Sequence, residues 1–167
     1  MVPMELVGVR LELPANTPIV ILRETEGRRR VVPIYIGGPE AAAIHYALEG
    51  IEPARPLTHD LLKNVLDELT TSLDRVVVTE VRDRTYYAEL HLVSAKGSHT
   101  VSSRPSDAIA LAVRTQTPIF AEESLLDEVG QEQDETEVVD TEDDQDELLE
   151  DFRDFIENVK PEDFEGL

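Results

Sequence analysis

Residues 75–114 read RVVVTEVRDRTYYAELHLVSAKGSHTVSSRPSDAIALAVR, and their pattern decides the fold class. Three runs rich in β-branched, aromatic and alternating apolar residues, 75–81, 85–93 and 99–103, predict strands. Arg84 sits in the first turn and Lys96-Gly97 in the second. The period then changes. Ile109, Leu111, Ala112 and Val113 form the apolar side of a helix over 106–114, with Ser106 as its cap and Asp107 in its first turn. Strands gathered in a run and then a helix, instead of strands alternating singly with helices, predict an α+β fold.

The residues before this stretch repeat the plan. Strands are expected over 4–13, 19–22 and 31–36, and Pro33 inside the third marks it as an edge or a bulge. Gly37-Gly38-Pro39-Glu40 opens a helix carrying Ala41, Ile44, Ala47 and Leu48 at helical spacing, with Gly50 as its stop. Pro53 and Pro56 separate it from a second helix over 58–69, whose apolar face is Leu61, Leu62, Val65, Leu66 and Leu69. Each half is therefore strand-rich and followed by helix. Glu40-Ala41-Ala42-Ala43-Ile44 can be laid on Asp107-Ala108-Ile109-Ala110-Leu111, a match short enough to leave an internal duplication open. A last short strand over 118–121 and a helical turn over 124–129 complete a folded body, residues 1–130.

The rest of the chain has a different composition. Of the 167 residues, 1–121 carry 13 Lys/Arg against 15 Asp/Glu, whereas 122–167 carry 2 against 21. The body is nearly neutral and lacks the broad basic field that steers proteins onto phosphates. Residues 131–147, almost purely acidic and polar, are expected to be a disordered linker. Residues 148–167 bring back a helical stripe of Leu148, Leu149, Phe152, Phe155, Ile156 and Val159, ended by Lys160-Pro161, and predict an amphipathic C-terminal helix. No apolar run approaches the roughly 18 residues of a membrane helix, and a secretory leader is not expected from the opening Met1-Val2-Pro3-Met4-Glu5. With no cysteine, a metal site would have to use His, Asp or Glu. Cytoplasm is the expected compartment.

Three phrases taken together are more specific than any one of them. They are Pro33-Ile34-Tyr35-Ile36-Gly37-Gly38-Pro39-Glu40-Ala41-Ala42-Ala43-Ile44, then Arg55-Pro56-Leu57-Thr58-His59-Asp60-Leu61-Leu62, then Arg104-Pro105-Ser106-Asp107-Ala108-Ile109-Ala110-Leu111-Ala112. In this order and spacing they resemble the bifunctional nuclease domain family, and the ending from Phe152 to Phe164 is similar to the tail of its actinobacterial members. The resemblance implies an α+β fold, a cytoplasmic location, self-association as a homo-oligomer, and cleavage of DNA and RNA. Two departures stand out. The family often has Gly-Thr-Phe-Tyr-Ala where this chain has Arg84-Thr85-Tyr86-Tyr87-Ala88. It often has Ile-Asp-Ala where this chain has Val101-Ser102-Ser103, which removes a carboxylate beside Arg104.

Phosphodiester hydrolysis needs an activated water and neutralised phosphate charge. The residues suited to it cluster at expected helix starts. His59, Asp60 and Asp107 are the candidate acid–base residues. Arg55 and Arg104, forked donors suited to phosphate, and Ser106 are the candidate substrate contacts. Glu40, Asp60 and Asp107 are the candidate ligands of Mg²⁺ or Mn²⁺. The same residues also have a plainer reading. Thr58 or Asp60 would cap the second helix, Ser106 and Asp107 the third, and Arg104 would pair with a carboxylate. Arg28-Arg29-Arg30 reads as a solvated turn, and His45 and His91 as solvent-facing. Two functions stay open: a low-specificity, metal-assisted nuclease, or a non-catalytic oligomeric module that binds a ligand or protein and recruits a partner through its acidic tail and C-terminal helix.

Overall fold

The computed structural model describes residues 1–132. The chain runs β1 (Val2–Glu12), β2 (Thr17–Glu24), β3 (Val31–Tyr35), α1 (Gly38–Leu48), α2 (Thr58–Glu68), β4 (Thr71–Arg82), β5 (Thr85–Ser94), β6 (Gly97–Ser103), α3 (Pro105–Thr115), β7 (Ile119–Ala121) and α4 (Glu123–Val129). This is the expected α+β class. The strands form one sheet in the order β3-β2-β1-β7-β4-β5-β6. Each half supplies an antiparallel meander, so the plan of three strands and then helix recurs in the topology. The short strand near residue 120 has the central role. β7 pairs antiparallel with β1 and parallel with β4, and so joins the two meanders into one sheet. Pro33 lies in the edge strand β3, where a missing N–H costs no ladder bond.

The helices are laid on one face of the sheet. Alternation along β2 turns Pro18, Val20, Leu22 and Glu24 inward, opposite Met4, Leu6 and Val9 of β1. α3 is the centre of the helical layer. Ala108, Ile109, Ala110, Leu111 and Ala112 are each no more than 1% exposed, and the alanines let α1, α2, β4 and β5 all approach this helix.

Two features depart from the sequence reading. α2 does not turn its apolar face inward. Leu61, Leu62, Val65 and Leu69 are 56%, 37%, 43% and 66% exposed, and His59 is the one buried residue of the helix. Leu66 alone of that face packs partly on the core. α2 rests mainly on α3 and the start of β4, at the margin of the layer, so nothing in the described residues covers its far side.

The arginine run is the second departure. Arg28 and Arg29 are exposed, but Arg30 is 2% exposed and so is Glu24, which the inward phase of β2 buries. Their guanidinium and carboxylate meet at 2.7 Å, and Arg30 also reaches Glu123 at 2.7 Å and Asp127 at 2.8 Å on α4. Glu24 holds the Arg30 guanidinium above its ordinary pKa, and the Arg30 side chain holds the Glu24 carboxyl below its own. Gly130 is required beside this cluster, since a Cβ there would collide with the Leu126 carbonyl oxygen and press on the Arg30 stem.

The described residues run just past the expected boundary at 130. Gln131 bridges to Val31 through two backbone hydrogen bonds of 2.8 and 2.9 Å, and Glu132 pairs with Arg28 at 2.8 Å. The remainder of the segment read as a linker, and the stripe from Leu148 to Val159, lie outside the described residues.

Candidate functional site

Three helix starts converge. α1 begins after Gly37, α2 after Leu57 and α3 after Arg104, each flanking residue being extended before the chain turns helical. Proline in the first turn of α1 and α3 fixes the backbone there without sacrificing an intrahelical bond. Gly37 leaves room for Glu40 to fold back over its own turn, because a Cβ on Gly37 would collide with Glu40 Oε2. The chain's own carboxylate thus lies against the Gly37-Gly38 turn.

From these starts a continuous polar chain is built. His59 Nε2 meets Asp107 Oδ1 at 3.0 Å. Arg104 donates from Nε to Asp107 Oδ2 at 2.6 Å and from Nη2 to Asp107 Oδ1 at 3.0 Å. The same Nη2 donates to Glu40 Oε1 at 2.9 Å. His59, Asp107, Arg104 and Glu40, four residues named from the sequence, thus form one network across three helices. Arg104 is its exposed member: the His59 side chain is 11% exposed, Glu40 17%, Asp107 28% and Arg104 64%. Among the described residues, the other ring nitrogen of His59, Nδ1, has no hydrogen-bond partner.

Asp60 goes elsewhere. Its Oδ1 accepts Arg114 Nε at 2.6 Å and its Oδ2 accepts the Leu57 N–H at 2.9 Å. Adjacent helical residues point about 100° apart, which is why His59 and Asp60 reach α3 at different turns. The Leu57 contact is the capping role of the plainer reading, although it comes from the third helical position and the cap residue itself is Leu57. Ser106 does not cap α3. The cap residue is Arg104, no side chain bonds the freed amides, and Ser106 is buried one residue inside the helix. Arg55 is exposed in the loop before α2 and joins neither cluster. His91 is partly buried on the sheet, with Arg75 Nη2 at 3.2 Å and Glu89 at 3.3 Å, not solvent-facing as read.

Of the carboxylates named as Mg²⁺ or Mn²⁺ ligands, two share one arginine and the third stands apart. Glu40 and Asp107 flank Arg104, Asp60 faces Arg114, and among the described residues no three His, Asp or Glu side chains are grouped to hold an ion. Arg114, not singled out from the sequence, proved part of the arrangement. The available signal was its place two turns after Asp107 on one helix.

The network sets the charge states. Burial raises the Asp107 carboxyl, but hydrogen bonds from Arg104 and His59 outweigh it and leave the pKa below the ordinary value. Burial raises Asp60 likewise, and Arg114 with the Leu57 amide brings it below. A carboxyl depressed in the folded state stabilises it above the unfolded pKa, and that contribution is lost as pH falls through the folded value. With Asp60, Asp107 and Glu24 all shifted this way, the melting temperature should stay level down to about pH 5 and drop below about pH 4. A thermal melt series from pH 7 to 3 that stays flat throughout would contradict these pairings.

Comparison with known proteins adds independent information. The family model described as Bifunctional nuclease domain matches residues 20–134. An uncharacterized protein of Mycobacterium tuberculosis is 40% identical over 164 residues, 96% of each chain, so the match runs through the acidic C-terminal region. Bifunctional nuclease 2 of Oryza sativa subsp. japonica is 31% identical over 122 residues, 71% of this chain and 37% of the rice protein. Bifunctional nuclease 1 of Arabidopsis thaliana is 31% identical over 108 residues, 63% of this chain and 33% of its own length.

Proposed function

The chain belongs to the bifunctional nuclease domain family, and we propose that it hydrolyses phosphodiester bonds of DNA and RNA with low sequence specificity at the His59–Asp107–Arg104 network. One observation carries this reading: His59 is held by Asp107 through Nε2 while, among the described residues, its Nδ1 is left unbonded. An imidazole oriented by a carboxylate is a general base with one working nitrogen. The plant relatives, bifunctional nucleases by name, supply the reaction class.

In the proposed reaction Nδ1 takes a proton from water, or from the 2′-hydroxyl when the substrate is RNA. The oxygen so freed forms a bond to phosphorus, and the bond to the leaving oxygen breaks. The imidazolium, stabilised by Asp107, returns its proton to that leaving oxygen. Arg104, the exposed end of the network, exchanges one carboxylate for a phosphate oxygen and offsets the charge that builds there. Glu40 holds Arg104 in the free protein. No step is routed through Mg²⁺ or Mn²⁺, because the carboxylates do not fit one as arranged. Cleavage is therefore expected to survive EDTA, and an activity abolished by EDTA and restored by Mg²⁺ would overturn this part of the proposal.

Self-association belongs to the same proposal, and one observation favours it and the non-catalytic alternative alike. The outward stripe of α2, extended by Leu57 at 42% exposure, is a contiguous apolar surface of the kind that marks an interface. We place the homo-oligomer contact there. Leu61→Glu with Val65→Glu should shift the sedimenting species to monomer, and a wild type already monomeric at tens of micromolar would remove the oligomer from the account. The proposal keeps two further parts: a cytoplasmic location, with no helix among the described residues long and apolar enough to cross a membrane, and a protein partner recruited through the stripe from Leu148 to Val159.

A further inference from the structure

Beside the network, α2 and the end of α1 enclose a cleft of about 950 Å³ against the C-terminal half of α3. Its size is at the upper end of ligand sites, roughly 300–1,000 Å³. Tyr46, Ile51 and Pro53 give it apolar and aromatic lining, and Asn64 and Gln116 bring side-chain amides to it. Arg114 completes it. The Arg114 side chain is only 7% exposed, its Nε is held by Asp60 at 2.6 Å and its Nη1 by the Ala110 carbonyl at 2.8 Å, yet its Nη2 has no hydrogen-bond partner among the described residues. That nitrogen is also not among the sealed buried atoms, so it opens on the cleft that Arg114 lines. A guanidinium fixed on two sides and left with idle donors on the third is set up to receive an acceptor.

The geometry points to a recognition site for an unpaired purine base, guanine before adenine. Two opposed pairs line it, Asp60 with Arg114 and Lys63 with Asp67 at 2.9 Å, and Glu52 adds one further negative charge. The cleft therefore suits a neutral planar polar group better than a phosphate. A base offers flat faces to Tyr46 and Pro53, and edge groups to the two amides. Guanine presents two acceptors, O6 and N7, to an arginine, where adenine presents one. Arg114 follows Asp107 by seven residues, so it lies about 10 Å further along nearly the same side of α3. A single strand cut at His59 would place a neighbouring base in the cleft. The inference rests on the nuclease reading for its biological sense but not for its test.

The test is nucleotide binding by the full chain, titrated calorimetrically with GMP, AMP, CMP and UMP. GMP should bind about ten-fold more tightly than CMP or UMP, a difference expected of one good arginine–base contact. Arg114→Lys and Asn64→Ala should each weaken GMP severalfold, whereas Lys96→Ala, on the exposed turn between β5 and β6, should bind it unchanged. Should Arg114→Lys fail to fold, the exposed Asn64→Ala carries the comparison, together with protection of residues 63–67 and 113–116 from hydrogen exchange by GMP. Equal affinity for all four nucleotides, no binding at millimolar GMP, or GMP binding unaffected by Asn64→Ala with no protection at the cleft would each overturn the site. Purine-selective binding by a protein that cuts nothing would sink the nuclease reading and leave the cleft standing. Cleavage with no purine preference in binding would do the reverse.

Discussion

Arg30→Met is expected to destabilise the fold by about 3–5 kcal/mol, the range for removing one partner of a buried ion pair. The reason is what remains. Glu24 is 3% exposed at its side chain and faces the interior because β2 alternates, so without Arg30 it must stay charged and unpaired or take up a proton. The same guanidinium ties the turn after β2 to Glu123 and Asp127 on α4, and α4 leads to the Gln131–Val31 bridge. Urea denaturation should therefore show a lower midpoint and earlier exposure of the 123–132 segment. Replacing both partners, Arg30→Met with Glu24→Leu, should recover only part of the loss, since the buried backbone N–H of residue 30, which donates to Glu24 Oε2 at 2.7 Å, then loses its acceptor. A loss below about 1 kcal/mol for the single substitution would mean that the cluster is solvated in solution.

The second large effect is on catalysis. His59→Ala should lower cleavage of single-stranded DNA and RNA by about 10²–10⁴, the usual contribution of a positioned general base. Some stability will go with it, because His59 is buried and Asp107 loses a hydrogen bond, so rates should be compared well below both melting temperatures. Asp60→Ala should behave differently. Its carboxylate is taken up by Arg114 and the Leu57 amide, which makes it a positioning residue for α2 and α3, and its loss should appear chiefly in the melting temperature. Cleavage by His59→Ala at the wild-type rate would place the chemistry elsewhere.

Much of this was legible in the residues. Strand alternation, turn residues and the change of period at Arg104 were enough for the order of elements, and helix starts rich in His, Asp and Arg located the network. What was not legible depended on tertiary placement. A three-residue strand such as β7 carries too little pattern to reveal that it is central. The stripe of α2 has the periodicity of a buried face, and only the marginal seat of the helix turns it to solvent. Arg30 resembles Arg28 and Arg29 in sequence, and its burial follows from a carboxylate that the phase of β2 carries inward. Asp60 could not be told from His59 as a candidate, since the 100° between them sends one to Asp107 and the other to Arg114. Three carboxylates at three helix starts suggested an ion site, but two arginines reach them.

The central claim is that His59 and Asp107 act as one unit without a bound metal. Single-turnover cleavage of one fluorescent single-stranded RNA, in EDTA, by wild type, His59→Ala, Asp107→Asn and the double variant measures this directly. A working pair predicts strong non-additivity, with the double variant no slower than His59→Ala alone. If the two losses instead multiply, or if all four proteins cleave at one rate, the pair is not the catalytic unit.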